Sequence, residues 1–273
     1  MRQGTSPTTT LIISTYNWPE ALELCLLSVK AQQVLPNEVI IADDGSKEGT
    51  RSLIHRYQQD FPVPLFHIWH EDEGFRLAMI RNKAIATSKY EYIIQIDGDL
   101  ILHPSFISDH IRFAKPDTFV RASRIYMNEQ LSSKLLQTKR IDVSLFTEGL
   151  SNKMSAMHLP VIWSYFEHNY KAHQPYEIHG CNMAFWRENA IAVNGYNERF
   201  KGWGPEDKEF VVRLLNKGYS KRFLKMGAIV YHIWHKENSK ENLPGNECEF
   251  KTSIEQNRDF CQMGIDQYLN DSR

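Results

Sequence analysis

Two carboxylates separated by one residue, Asp97 and Asp99 in IDGDL (96–100), can hold a hard divalent cation. Mg²⁺ and Mn²⁺ favour oxygen ligands, commonly one or two carboxylates completed by phosphate and water. Gly98 permits the bend between them, although a plain Asp-Gly turn would use the same residues. Far along the chain, VYHIWH (230–235) offers His232 and His235, and imidazole is acceptable to Mn²⁺. In an extended strand, positions i and i+3 point to opposite faces, so the pattern predicts that one of the two joins Asp99 and leaves open which. Zinc is disfavoured, because no third nitrogen or sulfur ligand lies nearby in sequence. A third stretch, EDEGFRLAMIRNKAI (71–85), puts Arg76 and Arg81 at a helix start, where guanidinium and backbone N–H groups suit a diphosphate. Walker and GxGxxG loops are both missing, which weighs against an NTPase or a dehydrogenase. The fourth stretch is GWGPEDKEF (202–210), in which Gly202, Trp203, Gly204 and Pro205 deliver Glu206 and Asp207 to a helix start. Acids there favour the helix dipole. An inflexible aromatic loop presenting a carboxylate also suits a general base offered to a substrate.

Positioning these groups falls to an alternating series of elements. TLIISTYN (10–17), EVIIADDGS (38–46), PLFHIWHED (64–72) and EYIIQIDGD (91–99) read as buried strands, each ending in polar residues. Between them, PEALELCLLSVKAQ, GTRSLIHRYQQDF and FRLAMIRNKAIATS have apolar residues at helical spacing, the first opening on a proline. The pattern βαβαβαβ predicts an α/β fold, a Rossmann-like, mostly parallel central sheet flanked by helices. In such sheets ligands bind beyond the carboxyl ends of the strands, where Asp43, Asp44, Asp72, Asp97 and Asp99 would share one rim. The second half is less regular. PSFISDHIRFAK reads as a helix, TFVRASRIY as a strand, and 127–175 as a mostly helical insertion or lid near the site. Within it, VIWSYFEHNY (161–170) could serve either the cleft or the core. HGCNMAFWRENAIAVNGYNERF reads as strand, helix and turn, DKEFVVRLLNKGY as an amphipathic helix, AIVYHIWH as a strand, and 245–268 as a final amphipathic helix or an interaction arm.

The bulk composition fits an ordinary globular protein: 273 residues with 42% hydrophobic and 24% charged side chains. A formal net charge of -1 supplies no global attraction to nucleic acid. The amino-terminal MRQGTSPTTT lacks the apolar stretch of a signal peptide, and no run approaches a membrane span. Cys25, Cys181, Cys248 and Cys261 form no CxxC pair, so a reducing, cytoplasmic setting is expected, with peripheral attachment to a membrane face left open.

LIISTYN, VIIADDGS, GFRLAMIRN and IDGD, in this order, resemble the nucleotide-sugar half of a family-2 glycosyltransferase with the GT-A fold. The later HGCNMAFWRENAIAVNGYNERFKGWGPEDKEFVVRL resembles the acceptor-side region of galactosyltransferases and chondroitin-polymerase-type enzymes. The resemblance covers roughly 10–100 and 178–236. It implies that Ser14, Tyr16 and Asp44 hold uridine, that Arg76 and Arg81 meet the nucleotide or diphosphate, and that Asp97 lies near ribose and metal. It also implies Asp99 and a histidine from VYHIWH as ligands of Mn²⁺ or Mg²⁺, Asp207 as catalytic base with Glu206 beside it, and acceptor contact from Trp203 and Gly204. Pro205 stands where that family often has glycine. The implied division is 1–125 for the nucleotide sugar, 126–240 for acceptor and catalysis, and 241–273 as a C-terminal helical extension. The expected reaction is inverting, metal-dependent transfer from a UDP-sugar to a carbohydrate acceptor, free or lipid-linked, in bacterial surface polysaccharide or glycan synthesis. Two alternatives are weaker. A sugar-nucleotide pyrophosphorylase needs a glycine-rich basic loop where STYNWPEA stands, and a non-catalytic sugar-binding module leaves the metal and diphosphate groups without a use.

Overall fold

The computed structural model describes residues 6–167, 169–171, 173–236 and 241–269. Its first hundred residues follow the expected alternation: β1 (Thr9–Thr15), α1 (Pro19–Lys30), β2 (Glu38–Asp43), α2 (Glu48–Gln58), β3 (Leu65–Trp69), α3 (Leu77–Thr87) and β4 (Tyr92–Asp97). Then come β5 (Leu100–Leu102), α4 (Phe106–Phe113), β6 (Thr118–Ala122), β7 (Arg124–Tyr126), α5 (Glu129–Thr138) and α6 (Trp163–Phe166). The chain continues through β8 (Asn182–Trp186), α7 (Arg187–Ala192), α8 (Glu206–Asn216), β9 (Ser220–Leu224), β10 (Val230–His232), α9 (Leu243–Glu255) and α10 (Asp266–Leu269).

Seven strands form one sheet in the order β3-β2-β1-β4-β8-β6-β9, parallel except where β8 runs antiparallel to β4 and β6. Every residue of β1 and β2 is buried, which is why their centres, LII and VIIA, are unbroken apolar runs: parallel strands are covered on both faces. Side-chain alternation splits them between two cores. Leu11 and Ile13 pack with Leu22 and Leu26 of α1 on one face, while Ile12 packs with Ile80 and Ala84 of α3 and Phe210 of α8 on the other. In register, Ser14 lies beside Asp97 and Thr15 beside Asp43, so the polar strand ends reach one level.

Several expectations needed correcting. TFVRASRIY is not one strand: it breaks at Ser123, and its two pieces enter different sheets, β6 the large one and β7 a three-stranded sheet ordered β5-β10-β7. Among its described residues, the 127–175 insertion is helical only in α5, α6 and two short 3-10 turns; residues 139–152 are irregular. Its apolar residues Leu131, Leu135, Leu150 and Ala156 build a third core against Ile125 and Tyr231, under the small sheet. Trp163 belongs to the main core, edge-on to Phe113, and His168 of the same stretch lies outside the described residues. The C-terminal segment is two helices, not one, with a turn-rich connection between α9 and α10. No helix among the described residues is long and apolar enough to cross a membrane.

Candidate active site

A cleft of about 880 Å³ opens at the carboxyl ends of β1, β2 and β4 and extends to the start of α8. No described residue of 127–175 lines it, so the described part of the insertion is a packed annex and not a lid. Three of the five rim aspartates, Asp44, Asp97 and Asp99, do line it. Asp43 points the other way, buried against His67 Nε2 at 2.9 Å, because neighbouring strand residues face opposite sides. Asp72 stands outside and accepts the Tyr16 hydroxyl at 2.9 Å.

The candidate cation-holding group is assembled by the small sheet. Antiparallel pairing of β10 with β5 sets His232 against Leu100, and the Ile233 N–H donates to the Asp99 carbonyl at 2.9 Å. His232 Nε2 then lies 3.4 Å and His235 Nε2 3.2 Å from Asp99 Oδ2. Both histidines therefore face the same carboxylate. The expectation that only one could do so fails because β10 ends at His232, and beyond that point strand alternation no longer governs the chain. His235 Nδ1 donates to the Lys236 carbonyl at 2.7 Å, which orients Nε2 toward Asp99. The hydrogen bond to Asp99 pushes His235 up to about 9, against burial. Burial lowers His232. Asp99 is held below the ordinary carboxylate value, because the hydrogen bond from His235 and the two imidazoles outweigh burial. One ligand atom from each of these three residues falls within 4.8 Å of the others. Asp99 Oδ1 is buried with no hydrogen-bond partner, an uncompensated acceptor of the kind that an ion satisfies. The donor set, two imidazoles and a carboxylate, fits Mn²⁺.

Arg81 joins this region to the helix start of α8. Its guanidinium is fully buried and reaches Asp97 Oδ1 at 3.1 Å and Glu206 Oε1 at 3.2 Å, with Nε 3.4 Å from Ser14 Oγ. Arg76 behaves differently. Its side chain is folded back onto Glu73 and the Glu71 carbonyl and does not line the cleft; only its backbone N–H is engaged, by Asp44 Oδ2 at 2.9 Å. Asp44 also takes His70 Nε2 at 2.7 Å, so both of its oxygens are already oriented.

Asp207 is aimed by two backbone donors: Gly180 N–H to Oδ2 at 2.7 Å and Lys208 N–H to Oδ1 at 2.8 Å. A Cβ on Gly180 would sit 3.0 Å from Asp207 Oδ2, so any side chain there would crowd the carboxylate. Beside it, burial and the Asp207 charge push Glu206 up to about 8, against the pull of Arg81. Folding therefore takes up a proton at Glu206. That stabilisation is complete below the ordinary 4.5 and is lost as pH rises through about 8. Glu206→Gln keeps an oxygen for Arg81 and should remove this slope: thermal midpoints from about pH 5 to about pH 8 are expected to fall more steeply in the wild type than in the variant. Parallel profiles would show that Glu206 titrates like an exposed carboxylate.

Ser14, Tyr16, Asp44, Arg81, Asp97, Asp99, His232, His235, Trp203, Gly204, Glu206 and Asp207 thus share one cleft, and of the residues to which the resemblance assigns a role, Arg76 alone does not line it. A match to the family model described as glycosyl transferase family 2 spans residues 10–192, the polar ends of β1, β2 and β3 and the IDGD turn included. The chain belongs to this family. A second match, to the N-terminal domain of galactosyltransferase, covers 162–236 and so contains Gly180, the Trp203 loop and both histidines. Chondroitin synthase of Pasteurella multocida (strain Pm70) is 27% identical over 258 residues, 88% of this chain and 26% of that protein. Chondroitin synthase of Escherichia coli is 24% identical over 250 residues, 81% of this chain and 34% of that protein. The chain therefore spans about a quarter to a third of the length of these curated relatives. Among solved structures, S. aureus TarS 1-349 in complex with UDP-GlcNAc superposes with a TM-score of 0.66 at 16% identity, over 97% of this chain and 71% of that one. A mannosyltransferase from Pyrobaculum calidifontis in complex with GDP-Man and Mn²⁺ gives 0.59 at 15% identity, over 98% and 73%. These likenesses establish the GT-A fold for this family-2 glycosyltransferase.

Some cleft residues carried no usable signal in the sequence. Arg124 of β7 donates to Cys181 Sγ at 3.1 Å and to the Tyr126 hydroxyl, while its Nε is buried without a partner. Its guanidinium lies 4.6 Å from the Tyr126 ring, which in turn packs 5.4 Å from His232. A lone arginine in RASRIY has no local pattern, and only the pairing of β7 with β10 carries it to the histidines. Leu243, Glu247, Phe250 and Lys251 of α9 also line the cleft.

Proposed function

We propose that the cleft transfers a sugar from a UDP-sugar to a carbohydrate hydroxyl with inversion at the anomeric carbon. The observation that carries this reading is the sharing of one cleft by the Asp99–His232–His235 group and an Asp207 carboxylate aimed by two backbone donors. Family membership and the UDP-GlcNAc named in the TarS complex support the donor class.

Ser14, Tyr16 and Asp44 would hold the uridine. The Asp44 oxygens already take one donor each and can accept a second from the base. Asp99, His232 and His235 would hold Mn²⁺ or Mg²⁺, with Asp97 nearby. A bound divalent cation supplies charge stabilisation on the diphosphate. Arg124 would add a fixed positive charge where the leaving group becomes more negative. Asp207 accepts the proton of the acceptor hydroxyl, whose oxygen forms the new bond to C1 as the bond from C1 to the diphosphate oxygen breaks. The electron pair leaves with UDP. Attack opposite the leaving group turns an α-linked donor into a β-glycoside. Trp203 offers an aromatic face to the C–H face of the acceptor, next to Glu206 and Gly204.

UDP release from a panel of UDP-sugars, with and without Mn²⁺, tests the reading. Metal-dependent release that increases with a carbohydrate acceptor is expected. Binding of sugars with no hydrolysis or transfer from any donor would favour a non-catalytic module. Arg124→Ala should lower kcat about 100-fold, in the range for removing one charge-stabilising donor, with a much smaller effect on acceptor KM. Steady-state kinetics at saturating Mn²⁺ measures this, and an unchanged kcat would remove Arg124 from the leaving-group site.

A further inference from the structure

The fold uses the glycines around Trp203 for close contact. A Cβ on Gly204 would lie 2.5 Å from Asn246 Nδ2, and Gly202, at φ +70, packs directly on the Asn242 side chain. Asn246 is 6% exposed, and its Nδ2 donates to the carbonyls of Lys201 at 3.0 Å and Trp203 at 3.1 Å. From the other side, the Gly202 N–H donates to the Phe75 carbonyl at 3.0 Å. The loop is clamped. The clamp is itself anchored: Ser253 of α9, fully buried, donates to Glu209 Oε1 at 3.0 Å, and Glu209 pairs with buried Arg213 at 2.8 Å within α8. With Asn246 turned to the loop, α9 presents Leu243, Glu247, Phe250 and Lys251 to the cleft, positions i, i+4, i+7 and i+8 of a single helical face. Phe250 is braced edge-on by Tyr176 at 6.2 Å.

We infer that α9 forms the acceptor wall of the cleft: Asn246 is the positioning residue for Trp203 and the start of α8, and Phe250 with Trp203 receives the acceptor sugar. This rests on the transfer reading given above. It assigns a role to part of a segment, 241–273, that the sequence presented as a helical extension or an interaction arm.

Two variants test it. Asn246→Asp has the same shape and no side-chain N–H, so it releases both carbonyls; Phe250→Ala removes the aromatic surface and leaves the clamp. Transfer is measured against acceptor concentration, and UDP affinity with Mn²⁺ is measured by calorimetry. Asn246→Asp is expected to raise acceptor KM about tenfold and lower kcat, and Phe250→Ala to raise acceptor KM about three- to tenfold with kcat nearly unchanged, a size appropriate to one aromatic contact. UDP affinity should stay within about twofold of wild type in both. Normal acceptor kinetics in both variants of an active enzyme would overturn the inference alone. A parallel loss of UDP affinity would also overturn it, by showing that α9 serves the whole fold and not the acceptor. A wild-type chain that neither binds UDP nor transfers sugar would sink the parent reading, and this one with it.

Discussion

Asp207→Asn is expected to lower kcat for sugar transfer about 1,000-fold or more while leaving Mn²⁺-dependent UDP binding within about twofold of wild type, since a positioned general base contributes on this scale. Two backbone donors, from Gly180 and Lys208, already hold one Asp207 oxygen each in a fixed direction. An amide of the same shape keeps one acceptor and loses the basic oxygen. Any structural cost stays near Gly180 and the first turn of α8, away from the Asp44 end of the cleft where the nucleotide would sit. Binding measured by calorimetry and turnover by UDP release separate the two effects. Normal turnover in the variant would transfer the base role elsewhere, with Glu206 the neighbouring candidate. Glu206 is less suited at neutral pH, because burial and the Asp207 charge push its carboxyl up to about 8.

The second large effect is expected at the candidate cation-holding group. Asp99→Ala should weaken Mn²⁺-dependent UDP binding at least about tenfold and lower transfer about 100-fold or more, because Asp99 is the residue on which both histidines converge. His232→Ala and His235→Ala should each reproduce part of the loss. Metal affinity measured without nucleotide and UDP affinity measured without metal distinguish this from general damage. If all three variants bound Mn²⁺ and UDP like the wild type, the group would be a hydrogen-bonded pairing of Asp99 with two imidazoles and no more.

The two experiments address ends of the cleft that the sequence presents as unrelated stretches. IDGD and GWGPED are more than a hundred positions apart, and their link is Arg81, which touches Asp97 and Glu206 at once. Arg81 and Arg76 look equivalent in GFRLAMIRN, five residues apart in one segment. Burial separates them: Arg81 turns inward between two carboxylates, while Arg76 precedes the first turn of α3 and folds back onto the acidic loop before it. No propensity distinguishes the two, since the difference lies in which carboxylates the finished fold brings within reach.

The sequence by itself determined the alternation of strands and helices, the polar ends of β1, β2 and β4, and the family. These follow from local periodicity and from short motifs at element boundaries, which need no knowledge of distant neighbours. Only the tertiary structure decided that both histidines face Asp99, that Arg124 joins them, that the described part of 127–175 is a packed annex, and that α9 clamps the Trp203 loop. Each depends on pairing between segments far apart in the chain: β5 and β7 flanking β10, the insertion folding under the small sheet, and Asn246 taking the space that Gly202 and Gly204 leave open. Local pattern sets which face of an element is apolar. Which distant element covers that face is settled by packing of the whole chain, and the chemistry of this cleft is made there.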